Sequence, residues 1–574
     1  MKKLLPFLKG YYKESFLAPT FKMLEAIFEL LIPLAVAQII DVGIKQNDKS
    51  TIYSMCGVMI ALGVIGLICA ICAQFFAARA AVNVSARIRS ALYKKIQSFS
   101  YSLTDKLGTS TLITRMTGDI NSVQTGINMF LRLFMRSPFI VFGAMIMAFT
   151  INVKLALIFA VTIPVLAVVV FGIMLITMPL YKKSQSRLDK VVSKVRSNYN
   201  GTRVVRAFNK EQDEISDFEE KNASLTKTQI FVGRLSALTN PLTYVIINLA
   251  VIILINNGAL TVQSGTISQG ELVSLYNYMS QILVELIKLA NLIVTLSKAM
   301  ASAQRISAVL STEETPKREV DTEETNDGSS VRFEKVSFKY NDTGDNVINN
   351  VSFSAMQGQT IGIIGGTGSG KSSLVNLIPD FYSATEGNIF VDGKNTLLYK
   401  DDTLNEKIAI VPQKAVLFKG TVRSNLLWGN FDATEEEMWD ALEKACAKDF
   451  IIQNPKGLDA EVTQGGKNFS GGQRQRLTIA RALIKKPKIL ILDDSASALD
   501  YATEAQLRKN IQSLDYSPTV FIVSQRTSSI LHADLIVVLD DGDPVGIGTH
   551  SELLENCEIY QEIYNSQFGK GGNE

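Results

Sequence analysis

Eight consecutive residues, Gly365, Gly366, Thr367, Gly368, Ser369, Gly370, Lys371 and Ser372, carry the sharpest chemistry in the chain. They match G-x-x-x-x-G-K-[ST], in which glycines let successive backbone N–H groups turn inward on a polyphosphate. Lys371 would reach the β- and γ-phosphates and Ser372 would ligate Mg²⁺. Downstream, the apolar run 489–492 ends in Asp493, the carboxylate expected to hold that Mg²⁺. A strand must deliver such a loop and a helix must follow it, because the helix N-terminus adds its dipole to anion binding. Residues 360–364 read as that strand, and 373–378 as the helical run. By itself the loop fits many phosphate-binding enzymes.

The chain around it has 574 residues, more than one ordinary domain. Its net charge of +3 hides two opposed halves. Residues 1–310 hold 32 basic and 16 acidic side chains, whereas 311–574 hold 26 basic and 39 acidic, so the halves carry +16 and −13. Hydrophobic content of 47% argues against disorder and for membrane residence. His532 and His550 are the only histidines, which excludes a multi-histidine metal site or a Ser-His-Asp triad in the first half. Cys56, Cys69 and Cys72 lie in an apolar run, with Cys446 and Cys557 far apart. That is neither a disulfide framework nor a zinc pattern.

Residues 53–77 and 155–181 contain no charge, and a helix needs about 20 apolar residues to cross a bilayer. Runs near 20–40, 128–151, 240–262 and 271–295 complete six expected spans. The connections after spans 2 and 4 are long and basic, carrying Arg79, Arg87, Arg89, Lys94, Lys95, Lys106 and Arg115, then Lys182, Lys183, Arg187, Lys190, Lys194, Arg196, Arg203 and Arg206. Basic residues near span ends stay cytoplasmic, so both long loops and both termini are expected in the cytosol. Nucleic-acid binding explains this basicity poorly, because no groove-reading motif accompanies it. The first 16 residues read as an interfacial amphipathic helix rather than a signal peptide.

Between Lys371 and Asp493 stands Phe469 followed by Ser470, Gly471, Gly472 and Gln473. This resembles the LSGGQ signature of the ATP-binding cassette (ABC) family. Tyr340, Gln413 within V-P-Q, the segment 497–500 ending in Asp500, and the closing G-T-H-S-E-L at 548–553 fall in the family's order. The loop segments G…R-M-T-G-D at 108–119 and T-R-V-V-R-A-F at 202–208 agree as well. The resemblance covers nearly the whole chain and implies an ABC exporter half-transporter. Its expected architecture is an all-α six-helix transmembrane domain over 1–310, a linker at 311–330, and an α/β ATP-binding cassette over 331–574. It implies ATP and Mg²⁺ as cofactors, with Tyr340 stacking on adenine, residues 365–373 (Ser373 included) cradling phosphate, and Ser372, Gln413 and Asp493 around the metal. It also implies a dimer, in which each ATP lies between one subunit's phosphate loop and the other's signature, next to the Asp500 loop. Closure on ATP would turn the spans outward through short coupling helices in the long loops, and hydrolysis would reset them.

Two positions depart from the family pattern. The residue after the Mg²⁺ aspartate, where fully active members have a glutamate that polarises water, is Asp494. The switch histidine of a V-x-x-H-R pattern is replaced by Gln525, which can donate a hydrogen bond but cannot carry charge or shuttle a proton. Loss of both catalytic groups beside retention of every binding group points to the degenerate half of a heterodimer. Such a chain binds ATP stably and lends its signature to a competent site on a second, non-identical half-transporter. A slow homodimer and an ATP-gated channel or regulatory subunit are the alternatives, as is an importer on the same fold.

Substrate identity is less legible. Lys22, Glu25 and Glu29 share one helix face in span 1, as do Arg132 and Arg136 in span 3, with Glu285 and Lys288 in span 6. An ion pair between spans is favoured over substrate contact. Phe28, Tyr244, Tyr276 and Tyr278 are candidates for lining a cavity, with lipid- or core-facing roles equally open. A small amphipathic substrate, contact with membrane lipids, and a bacterial cytoplasmic membrane location are expected. A cysteine-protease-bearing exporter is not, because the first Cys lies within a span.

Overall fold

The computed structural model describes residues 6–313, 328–340, 344–399 and 401–568, with the side chains of 401 and 402 left aside. The chain forms two compact units: residues 1–98 with 108–312, and residues 99–107 with 313–574.

Among the described residues, six helices of the first unit are long and apolar enough to cross a membrane: α1 (Tyr12–Ile44), α2 (Lys49–Gln97), then, after the short α3 (Tyr101–Leu107), α4 (Thr109–Ile151), α5 (Val153–Ala207), α6 (Glu211–Gln263) and α7 (Gln269–Ser311). Each contains one of the six apolar runs and extends well past it. The 49 residues of α2 span about 74 Å at 1.5 Å per residue, against a hydrocarbon core of about 30 Å. The surplus is where the basic residues fall, which explains how charged helices continue from uncharged ones.

The short connections are tight, capped turns. Asp48 accepts from Ser50 N at 2.9 Å, and Asn152, alone between α4 and α5, accepts from Lys154 N and Leu155 N. Ser268 and Glu271 form a reciprocal capping box at the start of α7, and Asp41 of α1 takes Gly270 N–H at 2.9 Å. Pro33 interrupts the hydrogen-bond ladder of α1, and α7 answers at that level: Tyr278 donates to the Leu30 carbonyl at 2.7 Å and Ser274 to that of Pro33 at 2.6 Å. Tyr278 is thus a fully buried core residue, while Tyr244 and Tyr276 are exposed.

The charged residues noticed in spans 1, 3 and 6 meet. Arg136 donates to Glu285 at 2.7 Å and to Glu29 at 2.6 Å, with Glu25 at 3.8 Å. Lys22 pairs with Glu25, Lys288 with Glu285 at 2.8 Å, and Ser137 supplies a further donor to Glu285. Arg132 joins none of these pairs among the described residues. The six charges sum to zero, and a cavity of about 380 Å³ opens beside them, lined in part by Glu29, Gln281 and Lys288.

Near the N-terminus, residues 6–8 form a single tight turn before α1, and residues 1–5 of the expected interfacial helix lie outside the described residues. Of the expected linker, 314–327 likewise lie outside them; α7 runs to Ser311 and the first strand opens at Ser329.

Among the described residues the second unit contains twelve strands: β1 (Ser329–Phe338), β2 (Ile348–Met356), β3 (Thr360–Gly365), β4 (Glu386–Val391), β5 (Lys394–Asn395), β6 (Ile408–Val411), β7 (Gly420–Thr421), β8 (Glu461–Val462), β9 (Ile489–Asp493), β10 (Thr519–Val523), β11 (Leu535–Asp540) and β12 (Asp543–Gly548). The central sheet has order β12-β11-β3-β10-β9-β6, and all its pairings are parallel except β11 with β12. β3 and β9 are buried on both faces, which is why they read as continuous apolar runs. An antiparallel sheet, β2-β1-β4-β5, packs over one face through Phe333, Val351, Ile363 and Val537. Helix α3 belongs to this unit: Tyr101 stacks on Phe381 with ring centroids 4.3 Å apart, and Asp105 accepts from the Tyr382 hydroxyl at 2.6 Å.

Candidate functional site at the carboxyl edge of the central sheet

Parallel sheets bind ligands beyond the carboxyl ends of their strands, and here three adjacent strands deliver the candidate residues to that edge. β3 runs into the glycine loop, β9 ends at Asp493, and β10 runs into Ser524 and Gln525. Their register is level, since Val523 pairs with Ile363 on one side and with Asp493 on the other.

Gly370, with φ +91°, starts helix α8 (Lys371–Leu377), and a Cβ there would press on the Val347 carbonyl at 2.6 Å. Only glycine fits that turn. Lys371 is folded back into its own loop, donating to the Gly365 carbonyl at 2.9 Å and also to Gly366. Burial pushes its pKa below the ordinary lysine value, and the Asp494 and Asp493 carboxylates only partly oppose that. The Ser372 hydroxyl donates to Asp493 at 2.8 Å, so the two expected Mg²⁺ ligands already touch. Burial raises the Asp493 pKa, with the Ser372 hydrogen bond opposing and Asp494 adding to the rise. One hydroxyl and one carboxylate suit Mg²⁺, which usually completes its shell with water and substrate phosphate. Among the described residues no cluster of three or more His, Cys, Asp or Glu could hold a metal by itself.

Asp494 sits in the left-handed region at φ +45°. Its N–H bonds the Val523 carbonyl at 3.0 Å, its carbonyl accepts from the Ser497 hydroxyl at 2.8 Å, and its carboxylate accepts from Gln413 at 3.1 Å. Gln413 therefore lies beside Asp494, on the same edge as Asp493. The Gln525 side chain is exposed and makes no hydrogen bond among the described residues, while its backbone carbonyl accepts from Gln567 at 2.7 Å. Tyr340 is half exposed, with its hydroxyl 2.9 Å from that of Ser373 and its ring edge-on to Tyr382 at 5.1 Å. Gly366, Thr367 and Gly368 are exposed, and Ser369 is buried under the loop.

The signature is not part of this cluster. Ser470 is the N-cap of helix α9 (Gly471–Leu483), in a reciprocal capping box with Gln473, and Ser470 and Gly471 are exposed. No hydrogen bond links residues 470–473 to 365–373 among the described residues. Gly472 instead backs onto the Ala498 carbonyl, next to Asp500, which caps helix α10 (Tyr501–Gln512) through Thr503 N at 2.8 Å. One chain thus presents a phosphate loop and, separately, a signature with its helix N-terminus open to solvent. Tyr382, Glu504 and Gln567 were not legible as site residues, because each acts through a neighbour that only the fold supplies.

A helical unit with six candidate spans joined to a nucleotide-binding α/β unit defines a multi-pass membrane protein that uses ATP. Residues 15–286 match the ABC transporter transmembrane region, and 348–497 match the ABC transporter domain. The chain is 37% identical over 574 residues to the ABC transporter ATP-binding protein YfiB of Bacillus subtilis (strain 168), covering 100% of each. It is 31% identical over 580 residues to a protein of the same organism, YgaD, named for multidrug export as an ATP-binding/permease protein, covering 99% of each. In fold it matches a bacterial Atm1-family ABC exporter solved with ATP bound, with TM-score 0.81 and 22% identity over 98% of this chain and 99% of that one. The chain therefore belongs to the ABC transporter family, as a half-transporter whose transmembrane region is fused to an ATP-hydrolysing domain.

Proposed function

We propose that this chain is the ATP-retaining subunit of a heterodimeric exporter, and that its signature completes a competent site on a non-identical partner. Asp494 carries the reading. Its backbone is pinned on both sides, and its carboxylate is one methylene shorter than the glutamate expected there. The binding groups Lys371, Ser372, Gln413 and Asp493 are meanwhile assembled around it. Ser372 and Asp493 would hold Mg²⁺, which would supply neutralising charge for the phosphates, and Lys371 would exchange its loop carbonyls for a phosphate oxygen. On this reading Asp494 and Gln525 would touch water and γ-phosphate without activating either well. ATP held in this way keeps two such domains closed while the other site turns over.

The basic long loops support a cytosolic position for the second unit and both termini, in a bacterial cytoplasmic membrane. The multidrug-export name of YgaD and the charged cavity beside α1 and α7 support export of small amphipathic molecules, in contact with membrane lipids. The test is ATP turnover by the purified chain, alone and with an ABC half co-purified from the native host. Slow hydrolysis alone and recovery with the partner is the expected result. Rapid steady-state hydrolysis by the single chain would overturn the reading.

A further inference from the structure

The last helix among the described residues reaches the loop that follows β10. Helix α11 (Glu558–Phe568) is anchored by the fully buried Tyr560, and Ile563 packs against the same cluster as Ile364, Ile530 and Val538. One turn beyond Ile563, on the same face, stands Gln567. Its amide is used at both ends. Nε2 donates to the Gln525 carbonyl at 2.7 Å, while Oε1 accepts from the Thr527 backbone N–H at 2.8 Å and the Thr527 hydroxyl at 2.9 Å. A carbonyl can only accept and a backbone N–H can only donate, so this orientation of the amide is the one that satisfies both.

The far end of the same loop is fixed separately. Ser529 at that end donates to the buried Glu504 of α10, whereas Arg526, next to Gln525, lies 3.7 Å from the same carboxylate and its N–H donates to the Ser524 hydroxyl at 2.9 Å. Gln567 holds the main chain on both sides of Arg526, where the Gln525 side chain is exposed. A residue whose main-chain carbonyl is held, with the N–H two positions on held by the same side chain, has little freedom to rotate.

We infer that Gln567 is a positioning residue for the ATP site: it fixes the backbone at Gln525 so that this side chain meets the γ-phosphate. The inference rests on the reading of Gln525 given above. It carries a signature that a merely structural role would lack. Gln525 meets only the terminal phosphate, so loosening it weakens ATP but leaves ADP alone.

The experiment measures displacement of a fluorescent nucleotide by ATP and by ADP, with Mg²⁺, on the purified full-length chain in lipid nanodiscs. Losing a hydrogen-bonded clamp of this kind in Gln567→Ala should weaken ATP about three- to tenfold. ADP should stay within about twofold, the scatter expected for an uninvolved surface change. Gln525→Ala should show the same selectivity, and the double variant should be no weaker than Gln525→Ala alone, because the two act through one contact. Gln567→Leu removes both hydrogen bonds without adding charge near the phosphates and keeps more of the side-chain bulk, so it carries the test if the alanine variant misfolds. It should show the same ATP-selective loss. Equal loss of ATP and ADP, or no loss, in the Gln567 variants beside a selective loss in Gln525→Ala overturns the inference and leaves the site reading standing. No selectivity in Gln525→Ala itself overturns both.

Discussion

Replacing Asp494 with Glu, alone and together with Gln525→His, tests the account of the site most directly. The backbone of Asp494 cannot advance to compensate for its short side chain, because Val523 holds its N–H at 3.0 Å and Ser497 holds its carbonyl at 2.8 Å. An added methylene therefore carries the carboxylate outward by about 1.5 Å, one C–C bond length. Misplacement of about 1 Å can cost about a hundredfold, which is about 2.7 kcal/mol of barrier. Asp494→Glu should recover most of that factor in kcat at nearly constant KM, since the groups that bind ATP are untouched. Histidine at 525 adds a proton carrier, a contribution of about a hundredfold or more when well placed. The two gains need not multiply, since both act on one transition state. The glutamate also carries a cost. Position 494 has φ +45°, and the left-handed conformation suits Asp better than Glu, so stability should fall by about 1 kcal/mol. Phosphate release by the purified chain is the assay. If the double variant hydrolyses ATP no faster than the wild type while binding it equally well, the geometric explanation for slow turnover is wrong.

Three other perturbations have definite signs. Lys371 has a lowered pKa in the free protein, and polyphosphate raises it again, so metal-free ATP binding should take up protons at alkaline pH. Affinity should then fall as pH rises through the lowered value, and calorimetry in buffers of different ionisation enthalpy should show an uptake that Lys371→Met abolishes. Arg136→Met would leave Glu285 with only Lys288 and Ser137 and take the cation from Glu29, at the low end of the about 3–5 kcal/mol for a broken buried pair, read as a drop in thermal midpoint; adding Glu285→Gln should recover part of it. Tyr382→Phe removes the donor to Asp105 and keeps the rings in place. At about 1 kcal/mol for an exposed hydrogen bond, amide exchange in α3 should quicken roughly fivefold with ATP affinity unchanged.

How much of this was legible depended on how local the determining interaction is. The phosphate loop announces itself because its glycines, lysine and serine are consecutive, and the strand and helix around it carry their own apolar patterns. The span helices were legible as apolar runs but not in their full length, since a polar helix beyond the bilayer has no hydropathy signal. Arg136 and Glu285 were visible as charges in apolar segments. Their pairing across 149 positions was not, because helix periodicity gives a face and not a neighbour. Gln567 and Tyr382 left no trace at all. Each makes its contacts with distant chain, and nothing in the local sequence distinguishes such a glutamine or tyrosine from a surface one.

The distribution of what is kept and what is changed follows the sheet. Lys371 and Ser372 sit on the loop and helix after β3, and Asp493 is the last residue of β9 itself, held by Ser372. Asp494 and Gln525 lie one and two residues past the ends of β9 and β10, where the chain has left the ladder. Residues inside the ladder cannot change length without disturbing neighbouring strands, whereas residues just beyond it can be exchanged for shorter or neutral ones at little cost to the fold. The edge of a parallel sheet therefore lets binding and chemistry be altered separately. On the proposed reading, a chain altered only at the outer pair would still close on ATP and offer its signature to a partner, which is what an unequal half of a two-site machine requires.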